Sequence, residues 1–293
     1  MGIAEKFKAL TDNLRTNDDE AISARCRRIT KRINLDFWRC DSEMQHSRYL
    51  GSYGRGTDIR EHSDVDLAIQ LPWSIHTKYN GYLYNGQSAL LQAVRQSIKA
   101  TYYSTEIGGD GQVVVVQFDD GINFEVLPVF SHSAGSFTYP DSNNGGSWKQ
   151  TNPVSEINSI NAANSLHNKN VKRLSRMTRA WKQKNNIPIK GLLIDTFAYN
   201  FIKQWSYSDK SFLYHDWMTR DFMKYLSEMD RNQTYWRAPG SGEAVWRTGG
   251  FEYKATQAYK TALEAIDYET NNMTYSANQK WREIFGRFFP SLT

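Results

Sequence analysis

Cysteine is scarce: Cys26 and Cys40 are the only two in 293 residues. They form no CxxC pair, which argues against a structural zinc site and, in a chain of this length, against a disulfide framework. No apolar run approaches the roughly 20 residues that span a bilayer. No internal repeat or low-complexity tract is visible, and Lys6 stands where myristoylation needs Ser or Thr. His132 and His167 have no partner at metal-ligand spacing. The expectation from these absences is a cytoplasmic protein without a membrane anchor.

What is present is a folding composition: 40% hydrophobic, 23% charged and 14% aromatic, with nine Trp and seventeen Tyr. Rings in that number supply most of a core. The net charge of +5 suits a polyphosphate or nucleic acid ligand but equally an ordinary basic surface. Arg25, Arg27, Arg28, Lys31 and Arg32 cluster in one stretch. Such a run is usually a solvated helix face, with a nucleic-acid track as the rival reading.

The periodicity predicts two helices over 3–36, a short strand Ser47–Leu50, a glycine-rich turn over 51–57 and a strand from Val65 to Leu71. Residues 73–86 read as loop and about 87–103 as helix. Gly108–Gly111 reads as a turn, and 113–118 and 122–130 as a hairpin. Residues 131–150, rich in Ser, Gly and Asn, read as a long loop. Helices follow near 153–168, 170–184, 191–206, 211–228, 253–269 and 274–287, with 231–252 a loop. The domain expectation is therefore an α+β lobe with its leading helices over 1–150 and a helical lobe over 151–293, the ligand lying in a cleft between them.

One constellation carries chemistry. Asp64 and Asp66 are two apart in strand-like sequence, so both carboxylates project from one face. Like charges so close call for a cation, and hard oxygen donors suit magnesium or manganese. Glu125, between apolar Phe124 and Val126, supplies a third acid. Three such acids can hold two metal ions about 3.5–4 Å apart for phosphoryl displacement. Alone, an Asp-x-Asp pair is most often a solvated strand end. Here it follows Gly51-Ser52-Tyr53-Gly54-Arg55-Gly56-Thr57, whose small residues let phosphates approach backbone N–H groups.

These residues carry a resemblance. The run from Gly51 to Thr57, followed by Ser63-Asp64-Val65-Asp66-Leu67, resembles the polymerase-β-type nucleotidyltransferases. It is most similar to the cyclic-oligonucleotide synthases related to cyclic GMP–AMP synthase and oligoadenylate synthase, whose bacterial members are the CD-NTases of anti-phage signalling. Phe124–Phe130 resembles the strand with the third acid, where many relatives carry Asp instead of Glu. Arg176-Met177-Thr178-Arg179-Ala180-Trp181-Lys182 resembles the helix whose basic residue meets the triphosphate. By that match Arg179 takes the role, with Arg176 beside it. The helix pattern alone places Val171, Leu174, Met177 and Trp181 on an apolar face and Lys172, Arg176, Arg179 and Gln183 on the opposite one. Near Gly191 relatives often have a phosphate-binding Ser or Gln, and Lys190 stands in.

The resemblance implies a polymerase-β-like lobe with a mixed sheet plus a C-terminal helical lobe. It implies a synthase that makes a cyclic di- or oligonucleotide from ATP, GTP or other nucleoside triphosphates. Two Mg2+ or Mn2+ ions would sit on Asp64, Asp66 and Glu125, and nucleotide contacts would come from Gly51, Ser52, Tyr53, Arg176, Arg179 and Lys190. The expected enzyme is a monomer whose product a downstream effector binds, with nucleic acid possible but not required. The alternatives are a linear oligoadenylate or RNA-tailing transferase and, in another class, an inactive nucleotide- or RNA-binding sensor. His62 reads as a turn residue, and Tyr199, Trp205 and Tyr207 as core more than as base-stacking platforms.

Overall fold

The computed structural model describes residues 1–60, 64–133 and 135–291. The turn reading of His62 and the Ser63 of the acid motif lie outside the described residues. The chain divides into two compact units, one comprising Asn17–Arg55 and His62–Ile157, the other Met1–Thr16, Gly56–Glu61 and Asn158–Thr293. This differs from the expected division at 150/151. Phe7, Leu10, Leu14 and Ile59 are buried among the helical residues, so apolar burial assigns the first helix and a short later segment to the helical unit.

The first unit is built on a mixed sheet. Its strands are β1 (Ser47–Tyr49), β2 (Val65–Gln70), β3 (Glu106–Asp110), β4 (Val113–Gln117), β5 (Asn123–Ser131), β6 (Phe137–Asp141) and β7 (Ser147–Thr151). The order is β1-β2-β5-β4-β3, with β6 pairing the end of β5 and β7 pairing β6. β2 and β5 run parallel and the other pairs antiparallel. Alternation along β5 buries Phe124 and Val126 and leaves Glu125 half-covered. The helices α2 (Asp19–Ile33) and α5 (Gly86–Thr101) place Ile22, Ile29, Ile33, Leu90, Val94 and Ile98 in the same core as Leu67, Val116, Phe124 and Val126.

Several segments differ from the sequence expectation. Residues 51–57 are not simply a turn: α3 (Gly51–Arg55) is a short helix. Trp73–Asn80, expected as loop, is α4, begun by Pro72 and stopped at Gly81. Its Ile75 and Tyr79 are four apart, so both reach the core. Gly108 and Gly109 belong to β3, and the turn is confined to Gly111 and Gln112. The expected long loop 131–150 contains β6 and β7. β7 is largely exposed, so it lacks apolar alternation. The hairpin is fastened instead by Asp141, which binds Lys149 and Gln112.

In the helical unit, α1 (Ile3–Asn13), α6 (Pro153–Leu166, whose first turns lie in the sheet unit), α7 (Asn170–Asn185), α8 (Gly191–Gln204), α9 (His215–Ser227), α10 (Glu252–Thr270) and α11 (Thr274–Phe285) follow the predicted periods closely. The loop expected at 231–252 holds a small hairpin, β8 (Tyr235–Arg237) and β9 (Ala244–Trp246). Trp181, Phe197, Phe222, Trp281 and Phe285 fill the core, as the aromatic count anticipated.

Candidate active site

The parallel pairing of β2 with β5 places Asp66 directly beside Glu125. Val65, Leu67, Phe124 and Val126 are buried on the opposite face, so both carboxylates are fixed on one side of the sheet. Asp64 precedes β2 and is exposed. It accepts a hydrogen bond from the Asn123 side-chain amide at 3.2 Å. Asn123 lies two residues before Glu125 on β5 and therefore shares its face.

The electrostatics are those of uncompensated negative charge. Burial pushes the Asp66 carboxyl above its ordinary value, and the Asp64 charge adds to this, while the Arg55 guanidinium opposes it. Glu125 is raised by burial and then by Asp66, Asp64 and Asp110. Arg55 is itself buried, 3.7 Å from Glu156 of α6. Asn123, Asp110 and Arg55 were given no role from the sequence. The Asn-x-Glu spacing and the arginine inside the glycine run were the signals available.

Gly51 has a positive φ of 54°, and a Cβ there would run into the Asp66 carboxylate. The backbone thus passes against the acid at a position only glycine can hold. Ser52 follows in α3. Tyr53 differs from a free nucleotide contact: its hydroxyl donates to Asp19 at 2.9 Å, and its ring meets Tyr49 edge-on at 4.8 Å. That side chain is engaged within the protein.

The basic residues expected at the triphosphate lie in the helical unit. Arg179 does not project from a solvated face. It is 7% exposed, donates to both Asp195 carboxylate oxygens at 2.6 and 2.9 Å and to the Gly191 carbonyl at 3.1 Å. Asp195 also accepts the Thr57 hydroxyl at 2.9 Å. A side chain at 191 would crowd the Arg179 guanidinium, which accounts for glycine there. The expected amphipathic division of α7 fails at this point because Asp195 of α8 offers a buried counter-charge that no periodicity reveals. Arg176 is half-buried and donates to the Asp58 carbonyl at 3.1 Å. Lys190 is exposed at the start of α8. Lys172, also on α7, is a half-buried cation whose pKa is lowered by burial and by Arg176.

The arginine-rich stretch on α2 is partly neutralised where it stands. Arg25 pairs with Asp120 and lies over Phe118, Arg32 pairs with Asp36, and Lys31 faces Asp41 and Glu43. His132 bonds Thr138 and His167 bonds Ser208.

The donor set suits a hard divalent cation: carboxylate oxygens on adjacent strand positions, destabilised as anions by burial and by one another. Among the described residues no three acid, His or Cys side chains already stand together at metal-holding geometry. Asp64 is instead bonded to the Asn123 side-chain amide.

The profile of the Second Messenger Oligonucleotide or Dinucleotide Synthetase (SMODS) domain matches residues 1–164. The chain belongs to the SMODS family. It is a nucleotidyltransferase of the CD-NTase group, with the α+β architecture of those enzymes. No curated protein sequence matches this SMODS chain. Among solved structures it is similar to E. coli MS115-1 CdnC in complex with HORMA-deltaN, with a TM-score of 0.69 at 15% identity over 98% of each chain. It is similar to Vibrio cholerae DncV cyclic AMP-GMP synthase with a linear intermediate, TM-score 0.66 at 12% identity, covering 84% of this chain and 69% of that one. It also resembles the STING-associated CdnE c-di-GMP synthase of Capnocytophaga granulosa, TM-score 0.62 at 13% identity, over 90% and 85%. At these identities the likeness is one of fold. No helix among the described residues is long and apolar enough to cross a membrane.

Proposed function

We propose that this enzyme joins nucleoside triphosphates, ATP or GTP among them, into a cyclic di- or oligonucleotide that acts as a cytoplasmic second messenger in anti-phage defence. A downstream effector binds the product. The observation that carries the reading is the register of β2 on β5, which sets Asp66 beside Glu125 with Asp64 one step before. An inactive sensor has no need to keep two part-buried acids side by side, both with their pKa raised by burial.

Asp64, Asp66 and Glu125 would hold two divalent cations, magnesium or manganese, which would supply positive charge to the reacting oxygens. Gly51 and Ser52 bring backbone close to the acids and hold the β- and γ-phosphates of the donor. Arg176 and Lys190, a half-buried and an exposed cation of the helical unit, are the residues that the resemblance assigns to the triphosphate. Arg179 orients them through the α7–α8 connection. In each step the O–H bond of the acceptor hydroxyl and the α–β phosphoanhydride bond break, one P–O bond forms, pyrophosphate leaves and the proton passes to solvent. A second such step closes the ring.

The pairing of Arg25 with Asp120 and of Arg32 with Asp36 weakens the RNA-tailing alternative, whose basic track would run along α2. The test is pyrophosphate release from mixed triphosphates with magnesium, followed by mass analysis of phosphatase-resistant product. A cyclic mass is expected. Linear products alone, or no release, would overturn the reading.

A further inference from the structure

A second groove lies on the acid-bearing side of the sheet. It encloses about 290 Å³ and is lined by Arg48, Ala68, Gln70, Val129, Ser131 and Phe137, with His46 and Val154 at its margins. Asp66, Ala68 and Gln70 alternate along β2, as Glu125, Leu127, Val129 and Ser131 do along β5, so the groove is a continuation of the face that carries the acids. Gln70 is four residues beyond Asp66, about 13 Å along the strand. Ala68, Val129 and Phe137 of the groove form a small apolar cluster with Leu50, against which Leu127, Val154 and Ile157 pack.

The lining has a definite chemical character. Arg48 is its only charged side chain, and no carboxylate lines it. Arg48 projects from the edge strand β1 and is exposed, with no ion-pair partner among the described residues. The Gln70 side-chain amide and the Ser131 hydroxyl likewise make no hydrogen bond among the described residues; the Trp38 and Trp73 indoles bond only the backbone carbonyls of these two residues. Burial lowers the His46 pKa. The ring is held in place by stacking on Trp38 at 4.0 Å and by Asn34 at 2.9 Å. A groove with one unpaired guanidinium, an amide that offers both a donor and an acceptor, and a floor of small apolar residues selects an anion with a flat, hydrogen-bonding body.

We propose that this groove is a second ligand site and that it takes a nucleoside monophosphate. Arg48 binds the phosphate in a forked contact, Gln70 reads the base edge, and the base lies on Ala68 and Val129. The volume is at the lower end for small-molecule sites, which suits a mononucleotide and leaves too little room for a cyclic dinucleotide.

The test is equilibrium binding of AMP, GMP and inorganic phosphate to the full chain in EDTA, which removes metal-dependent binding at the acids. Four proteins are compared: the parent, Arg48→Glu, Gln70→Leu and the pair Asp64→Asn with Asp66→Asn. The expected result is one monophosphate bound per chain. Arg48→Glu should weaken it about 10-fold or more. Gln70→Leu should change the preference between AMP and GMP, and the acid pair should bind as the parent does. Arg48 is exposed and unpaired, so a melting curve should show its variant folded; Gln70→Leu provides an independent readout. Binding abolished by the acid pair would assign the ligand to the catalytic site. Phosphate bound as tightly as AMP would mean a bare anion site. Either result, or no binding of a monophosphate, overturns the proposal. None of these outcomes depends on whether the chain makes a cyclic product.

Discussion

The acids of the sheet unit and the Arg179 site of the helical unit treat buried charge in opposite ways. In the sheet unit Asp66 and Glu125 stand side by side, Asp66 raised by burial and by the Asp64 charge, Glu125 by burial and by Asp66 and Asp64, with Arg55 as the one cation opposing the effect on Asp66. In the helical unit Arg179 meets Asp195 through two short hydrogen bonds, and Thr57 completes the set. Buried charges left in conflict cost stability, and a protein keeps them where a ligand will resolve them. Buried charges fully paired serve the architecture. On the function proposed above, the contrast separates residues that meet the substrate from residues that hold the frame, although both groups appear in the same family-like motifs.

The sharpest break of this comparison is at the acids. Asp64→Asn combined with Asp66→Asn removes two of the conflicting charges. Losses around metal sites outside the direct ligands cost about 10–100-fold, so activity should fall by more than about 100-fold. The melting temperature should hold or rise, because repulsion is relieved. A folded double variant with near-parent product formation would end the two-metal reading. Glu125→Gln should inactivate comparably, whereas Glu125→Asp should keep measurable turnover, since a shorter carboxylate still presents oxygen donors from the same face. Parallel rate assays on both Glu125 variants check this, and a fully active Gln variant would place the third ligand elsewhere.

How much of this was legible in the sequence follows from the kind of signal each residue leaves. Period-two alternation in Val65–Gln70 and Asn123–Val126 put the acids on one face, and the structure keeps that face. The helices of the second unit were legible because their apolar stripes recur over three or more turns. β6 and β7 were not, because β7 is exposed and its hairpin is held by the polar contacts of Asp141. The Arg179–Asp195 pair was invisible because it joins two helices whose packing no single-helix period encodes. Asn123 left only a spacing of two from Glu125, which gains meaning once Asp64 is known to lie beside it.

The complementary break is in the helical unit. Arg179→Ala should strip Asp195 of its partner inside the core and cost about 3–5 kcal/mol, the range for one member of a buried pair. For a domain of this size that is on the order of 10 °C in melting temperature. The double change Arg179→Met with Asp195→Leu should recover much of the loss, because it removes both charges instead of stranding one. Thermal melts of the single and double variants check this. If Arg179→Ala melts like the parent while the triphosphate KM rises, the arginine is a phosphate contact and the architectural assignment falls.

The smallest expected effect lies at a buried acid within the frame itself. Asp216, near the start of α9, is 9% exposed, and burial raises its carboxyl to about 6. Trp217 N–H and Arg220 oppose that rise, and Glu269 adds to it. The unfolded chain ionises this group near 3.8. Below that pH both states are protonated and the group contributes nothing to the balance. As pH climbs from about 4 through about 6, the unfolded state loses its proton first, so the folded state is progressively disfavoured. Above the folded value the penalty is complete, on the order of 3 kcal/mol for a shift of about two pH units. Asp216→Asn should therefore melt higher than the parent at pH 8, with the gap closing toward pH 4. Melting curves across that range decide it. A gap that is constant with pH would mean that Asp216 is held ionised by its neighbours, and that the helical unit, like Arg179 with Asp195, leaves none of its buried charge in conflict at this position.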